Sequence, residues 1–146
     1  MLPQTTRRSL PMALLQARER VMAHFRPMLA RHAITEQQWR VIRVIAEDGP
    51  LGASEVAERA SILGPSLTRI IRALEARDMI TSERLTGDGR RVVLAIAPVG
   101  AALIKSTLSE RGDIYQAIEA RHGRENLERL LDLLETLIRT EQSAEG

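Results

Sequence analysis

Cysteine is absent from the 146 residues. Its absence excludes disulfide staples, thiolate metal sites and a cysteine-based redox sensor. Aromatic residues number three, Phe25, Trp39 and Tyr115, too few for a platform on which single-stranded nucleic acid stacks. His24, His32 and His122 are scattered, without metal-ligand spacing. No apolar run is long enough to span a bilayer, and none of signal-peptide length follows the opening MLPQTTRRSL. These absences predict a cytoplasmic protein with no membrane association, no metal and no cofactor. No Gly-x-Ser-x-Gly elbow, paired-carboxylate motif or glycine-rich phosphate loop occurs, so the chain is read as a non-enzyme.

What remains is an ordinary globular composition, 44% hydrophobic and 27% charged, in a length that suits one domain over 1–146. The net charge is only +2, but it is unevenly spread. Residues 1–48 carry eight arginines against four acidic residues, 49–97 seven against six, and 98–146 six basic against nine acidic. The last third is therefore a poor surface for a polyanion. A nucleic-acid face has to be built locally in the rest.

Apolar periodicity predicts a helix over 10–32, with Leu14, Val21, Phe25 and Met28 on one face and a kink or break near Pro27. Thr35 and Gln38 form a capping box that starts a second helix, stopped at Asp48-Gly49-Pro50. A short helix over 54–60, a turn at Ser61-Ile62-Leu63-Gly64, and a helix opening with Pro65 and running to about Arg77 make a helix-turn-helix. Strands over 79–85 and 92–97 flank Thr86-Gly87-Asp88-Gly89, a hairpin signature directly after it. One helix is predicted from Pro98 to about Ala120, then a break at Gly123. A final helix carries Leu127, Leu130, Leu131, Leu134, Leu137 and Ile138 as a stripe. That stripe is wider than one small winged domain can cover and predicts a homodimer. The fold class is mainly α with a small β-hairpin, a winged helix-turn-helix that dimerises through its N- and C-terminal helices.

The helix opening at Pro65 separates into two faces. Leu67, Ile70, Ile71 and Leu74 form the buried stripe, while Ser66, Thr68, Arg69 and Arg72 lie opposite. Arginine donates two bonds to guanine, and serine and threonine bond bases or phosphates, so this face suits a major groove. It reads equally as a solvated polar face. The hairpin adds Arg84, Asp88, Arg90 and Arg91. Arginines on a glycine-rich tip have little to bury, and they suit a narrow, negative minor groove, with Asp88 aiming Arg90; the tip also reads as a solvated charged turn.

The run Pro65-Ser66-Leu67-Thr68-Arg69-Ile70, then Leu74-Glu75, then Asp88-Gly89-Arg90-Arg91, resembles the multiple antibiotic resistance regulator (MarR) family. The resemblance implies a winged helix-turn-helix over 35–97 and an obligate dimer built from 10–32 and 98–142. It also implies double-stranded DNA with a pseudo-palindromic operator as partner. Within that family, Ala13-Leu14-Leu15-Gln16-Ala17-Arg18-Glu19, Phe25-Arg26-Pro27 and Thr35-Glu36-Gln37-Gln38-Trp39-Arg40 are similar to repressors of homoprotocatechuate degradation. That similarity implies a repressor of an aromatic-compound catabolic operon released by a phenolic or phenylacetic acid. The recognition region departs from that subgroup at Gly64 and Arg69, so its operator sequence does not transfer. The implied effector region comprises Arg18, His24, Phe25, His32, Trp39 and Arg43. Arg18, Phe25 and His32, spaced seven apart, are expected on roughly one helix face. Arg18 reads either as a carboxylate clamp or as an interface arginine paired with Asp113 or Glu119 of the partner subunit. Arg43 pairs equally well with Glu47. Other readings are a MarR-type regulator of efflux or stress genes with a different effector, and a winged helix used for protein contacts alone.

Overall fold

The first apolar stripe does not run as one helix. In the computed structural model, which describes residues 1–2, 5–85 and 91–146, helix α1 spans Leu10–Met22 and α2 spans Arg26–Arg31. The Ser9 hydroxyl caps α1 by accepting from the Met12 backbone N–H at 3.2 Å. The break falls at residues 23–25, upstream of Pro27. A proline ring inside an unbroken helix collides with the carbonyl four residues back, so Pro27 sits in the first turn of α2 instead. Arg18, Phe25 and His32 therefore do not share a helix face. Arg18 lies in α1, Phe25 is buried at the junction, and His32 follows α2.

Helix α3 spans Glu36–Asp48 and opens with both capping-box bonds. The Gln38 N–H donates to Thr35 Oγ1 at 3.1 Å, and the Thr35 N–H to Gln38 Oε1 at 3.0 Å. It buries Val41, Ile42 and Ile45 against helix α4 (Ala53–Ala60), helix α5 (Gly64–Ala76) and the sheet. Ser61 turns the chain between α4 and α5 in the left-handed region, at φ 54°. Leu67, Ile70 and Leu74 of α5 are buried, whereas Ile71 is only half-buried.

The sheet has three strands rather than the two of a hairpin. Strand β1 is Leu51–Gly52, β2 is Ile80–Arg84 and β3 is Val92–Ile96, antiparallel in the order β1-β3-β2. Ile80 pairs with Ile96 and Arg84 with Val92, while Leu51 pairs with the fully buried Leu94. Two residues carry no alternation, so β1 has no signature of its own.

The helix expected over 98–120 is two: α6 (Pro98–Ser106) and α7 (Leu108–His122). The buried Thr107 separates them. Its hydroxyl donates to the Leu103 carbonyl at 3.0 Å and the Ile104 carbonyl at 3.1 Å, back-bonding that bends a helix. Gly123, at φ 84°, precedes α8 (Arg124–Glu145). The described residues form two compact units, Met1–Leu108 and Ser109–Gly146. In the second, α8 leaves Leu130, Leu131, Leu133 and Ile138 exposed.

Helix α6 approaches the sheet through Gly100. A Cβ there would strike the Met79 carbonyl oxygen and lie 2.7 Å from Ile96 Cδ1. Gly100→Ala improves helix propensity by about 1 kcal/mol, but the overpacking costs about 1–3 kcal/mol. We expect net destabilisation in urea or thermal unfolding. An unchanged or raised midpoint would show that the chain at Met79 gives way.

Candidate nucleic-acid interface and effector region

One face of α5 is spent on the core and the other is open. Pro65, Thr68, Arg69 and Arg72 are exposed and Ser66 is half-buried. Arg69 and Arg72 have no hydrogen bond or ion pair among the described residues. The Thr68 hydroxyl makes only a long bond, 3.4 Å, to the Gly64 carbonyl. Thr35, Gln37 and Gln38 at the start of α3 line a shallow groove with Ser66, Arg69 and Ala73.

The sheet hairpin is tied to both helices of the pair. Ser82 Oγ donates to Glu75 Oε1 of α5 at 3.1 Å. Arg84, two residues on, shares that sheet face and is exposed. Arg91 instead pairs with Glu55 in the first turn of α4. Asp88 and Arg90, the tip residues expected to enter the minor groove, lie outside the described residues.

The candidate effector region is organised around Glu36, the first residue of α3. Its carboxylate accepts from Arg18 Nη2 at 2.8 Å and Arg26 Nε at 2.6 Å. Glu19 accepts from Arg26 Nη2 at 2.8 Å and lies 3.6 Å from Arg18 Nη1. Burial works against the Glu36 charge, yet the bonds from Arg18 and Arg26 prevail and hold its carboxyl below the ordinary range. Glu19 and then Glu36 raise the Arg26 guanidinium. Burial and the nearby Arg18 charge lower Arg40, Glu36 partly offsetting them, and Arg40 Nε donates to the Ala60 carbonyl at 2.8 Å. One turn further along α3, the Arg43 guanidinium lies 5.5 Å from the Trp39 ring centroid and pairs with Glu47. Arg18, Arg26, Arg40 and Arg43 thus face three carboxylates, Glu19, Glu36 and Glu47.

The expected effector residues divide accordingly. Arg18 reaches α3 through Glu36 of its own chain, and Trp39 and Arg43 stack together. Phe25 is 7% exposed and belongs to the core, while His24 is exposed. The His32 backbone carbonyl accepts from Arg77 Nη2 at 3.1 Å. Sequence reasoning missed Glu36, Arg26 and Arg40. The one local signal was an acid at a helix N-terminus, where the dipole favours it. Among the described residues no group of three or more His, Cys, Asp or Glu side chains is arranged to hold a metal ion. No helix of the described residues is long and apolar enough to cross a membrane.

Because the folded-state value of Glu36 is depressed below the ordinary 4.5, its contribution to stability is present above that range. It is lost as pH falls through the depressed value. Glu36→Gln should therefore lower the melting temperature near neutrality, and the gap from wild type should close as the pH drops below 4.5. A gap that stays constant from neutral to acid pH would detach Glu36 from the arginines.

The chain matches the model of the MarR family over residues 34–92, from the end of the α2 region into β3. A homoprotocatechuate degradative operon repressor of Escherichia coli is 38% identical over 130 residues, 89% of this chain and 88% of that protein. The HTH-type transcriptional regulator FarR of Neisseria gonorrhoeae is 40% identical over 140 residues, 96% of each chain. The crystal structure of NadR in complex with 4-hydroxyphenylacetate matches with a TM-score of 0.84 at 40% identity, over 93% of this chain and 99% of that one. With relatives this similar over most of their length, and a helix-turn-helix that runs into a sheet hairpin, the chain belongs to the MarR family of transcriptional regulators.

Proposed function

We propose that the chain is a homodimeric DNA-binding repressor of an aromatic-compound catabolic operon, acting in the cytoplasm and without catalysis of its own. The observation that carries the DNA reading is the open face of α5, where Arg69 and Arg72 lack partners among the described residues. Pro65, Ser66, Thr68, Arg69 and Arg72 enter the major groove, as hydroxyls and guanidiniums suit base edges and phosphates. Arg84 extends this face along the hairpin, and Asp88 and Arg90 meet the adjacent minor groove.

Exposed apolar residues support the dimer. Leu10, Leu14, Leu15 and Val21 are exposed in the first unit, and Leu130, Leu131, Leu133 and Ile138 in the second. Residues 10–32 and 98–142 cover these on a second copy, which accounts for apolar surface that a monomer would leave in water. Two winged segments, 35–97, then read half-sites roughly 34–36 Å apart in a pseudo-palindrome. Sedimentation should give a dimer at micromolar concentration, and Leu131→Glu with Ile138→Glu should give monomers that lose operator binding. A wild-type monomer, or a footprint without two-fold character, would rule the dimer out.

A phenolic or phenylacetic acid is the effector. The name of the Escherichia coli relative and the 4-hydroxyphenylacetate bound to NadR support this class, as does the gathering of Arg18, Arg26, Arg40 and Arg43 around the start of α3. The effector's carboxylate takes the place of Glu36 on Arg18, and its ring lies beside Trp39. Arg43 or His32 holds a ring hydroxyl, and His24 and Phe25 border the region. Preference for the conformer that does not bind DNA produces release, and a coupling of ~1–3 kcal/mol suffices. Hydroxyphenylacetates, hydroxybenzoates and hydroxycinnamates should be titrated against the DNA complex of wild type and of Arg18→Ala. We expect release from wild type and a weakened response from the variant. An equal response would leave Arg18 a purely structural partner of Glu36, and no response to any acid would end the effector reading.

A further inference from the structure

Arg84 and Arg91 stand at the base of the same hairpin but on opposite faces of the sheet. The Leu85 N–H donates to the Arg91 carbonyl at 3.1 Å, closing the ladder one step beyond the Arg84–Val92 pair. Side chains alternate at each step, so Arg91 lies opposite to Arg84. On the Arg84 face, Ser82 is bonded to Glu75 of α5. On the other face, the Arg91 guanidinium crosses β1 to Glu55 of α4. Gly52 makes room for that crossing. A Cβ there would lie 3.3 Å from Arg91 Nε, 3.4 Å from Arg91 Nη2 and 3.4 Å from Glu55 Oε1. The hairpin is thus braced on one side to α5 and on the other to α4.

We propose that the Arg91–Glu55 pair is a strut that sets the base of the hairpin, at Leu85 and Arg91, against the helix-turn-helix, so that Arg91 is a positioning residue and does not itself contact DNA. The proposal rests on the DNA-binding reading above. It separates two adjacent arginines that the sequence presents as equivalent. Arg91 is committed to a carboxylate within its own chain, so its charge is neutralised before DNA arrives. Arg90, its sequence neighbour, keeps the groove-reading role proposed above. The pair is half exposed, 49% for Arg91 and 39% for Glu55. A pair so wetted contributes little to global stability, and its effect is on orientation.

Glu55 provides the discriminating measurement. Were Arg91 a DNA contact held back by Glu55, removing that carboxylate would free it and tighten binding. As a strut, the same removal weakens binding, even though a negative charge has been deleted next to a polyanion. The probe is a duplex selected by the wild-type protein from a random pool, with affinity measured across salt concentrations. Glu55→Gln and Arg91→Ala should each weaken binding by up to about fivefold, the limit of what an exposed ion pair contributes, with the wild-type salt slope. The charge-exchanged double variant, Glu55→Arg with Arg91→Glu, should recover most of the loss. Arg90→Ala, by comparison, should flatten the slope by about 0.9 per contact removed. Thermal unfolding of each variant establishes that the fold is kept. Tighter binding by Glu55→Gln, a flattened slope in Arg91→Ala, or wild-type affinity in both overturns the strut alone. A wild-type protein that selects no duplex at all overturns the DNA-binding reading and the strut with it.

Discussion

Burial of one face of α3 is the constraint on which the first unit depends. Val41, Ile42 and Ile45 are at most 1% exposed, and each such aliphatic side chain contributes roughly 1.5–3 kcal/mol on leaving water. Helices α4 and α5 and strand β3 all pack on α3. Once that face is fixed, the position of every other α3 side chain follows from 3.6-residue geometry. Glu36, Trp39, Arg40 and Arg43 are held in order along the remaining surface, where Arg18 and Arg26 reach them from α1 and α2. The core and the arginine–carboxylate cluster lie on two sides of the same helix.

Arginine carries nearly all the positive charge of the chain, Lys105 being the one lysine. The rigid guanidinium fork suits both carboxylate and carbonyl partners, and partnership separates the arginines by role. In the helix-turn-helix and hairpin, Arg59 pairs with Asp48, Arg77 bonds the His32 and Ala33 carbonyls, and Arg91 pairs with Glu55. These hold elements together. Arg69, Arg72 and Arg84 have no such partner among the described residues. The weak net charge is therefore a poor guide to the surface, because many of the cations are already neutralised inside the fold.

Legibility in the sequence followed the range of the interaction that makes each feature. The capping box at Thr35, the stop at Gly49, the break at Gly123 and the stripes of α5 and α8 are produced within a few residues, and all could be read directly. The open face of α5 was legible for the same reason, since the buried stripe defines its opposite. The Pro27 break was placed approximately, because proline marks where a helix cannot continue without saying how far back the chain must unwind. Thr107 passed as an ordinary helical residue, since its back-bonding depends on a hydroxyl rotamer that the pattern does not contain.

The sequence by itself determined the kinds and order of the main elements, the family, and the residue types on the open face of α5. Each follows from local periodicity, capping chemistry and motif spacing. Only the tertiary structure decided that β1 joins the sheet and that Arg18 belongs to Glu36. Likewise, it alone decided that Phe25 is buried where α1 meets α2, and that Arg91 turns to α4. Those choices join residues 18 to 43 positions apart, and a side chain's partner at that range is set by how elements pack, which leaves no period in the chain.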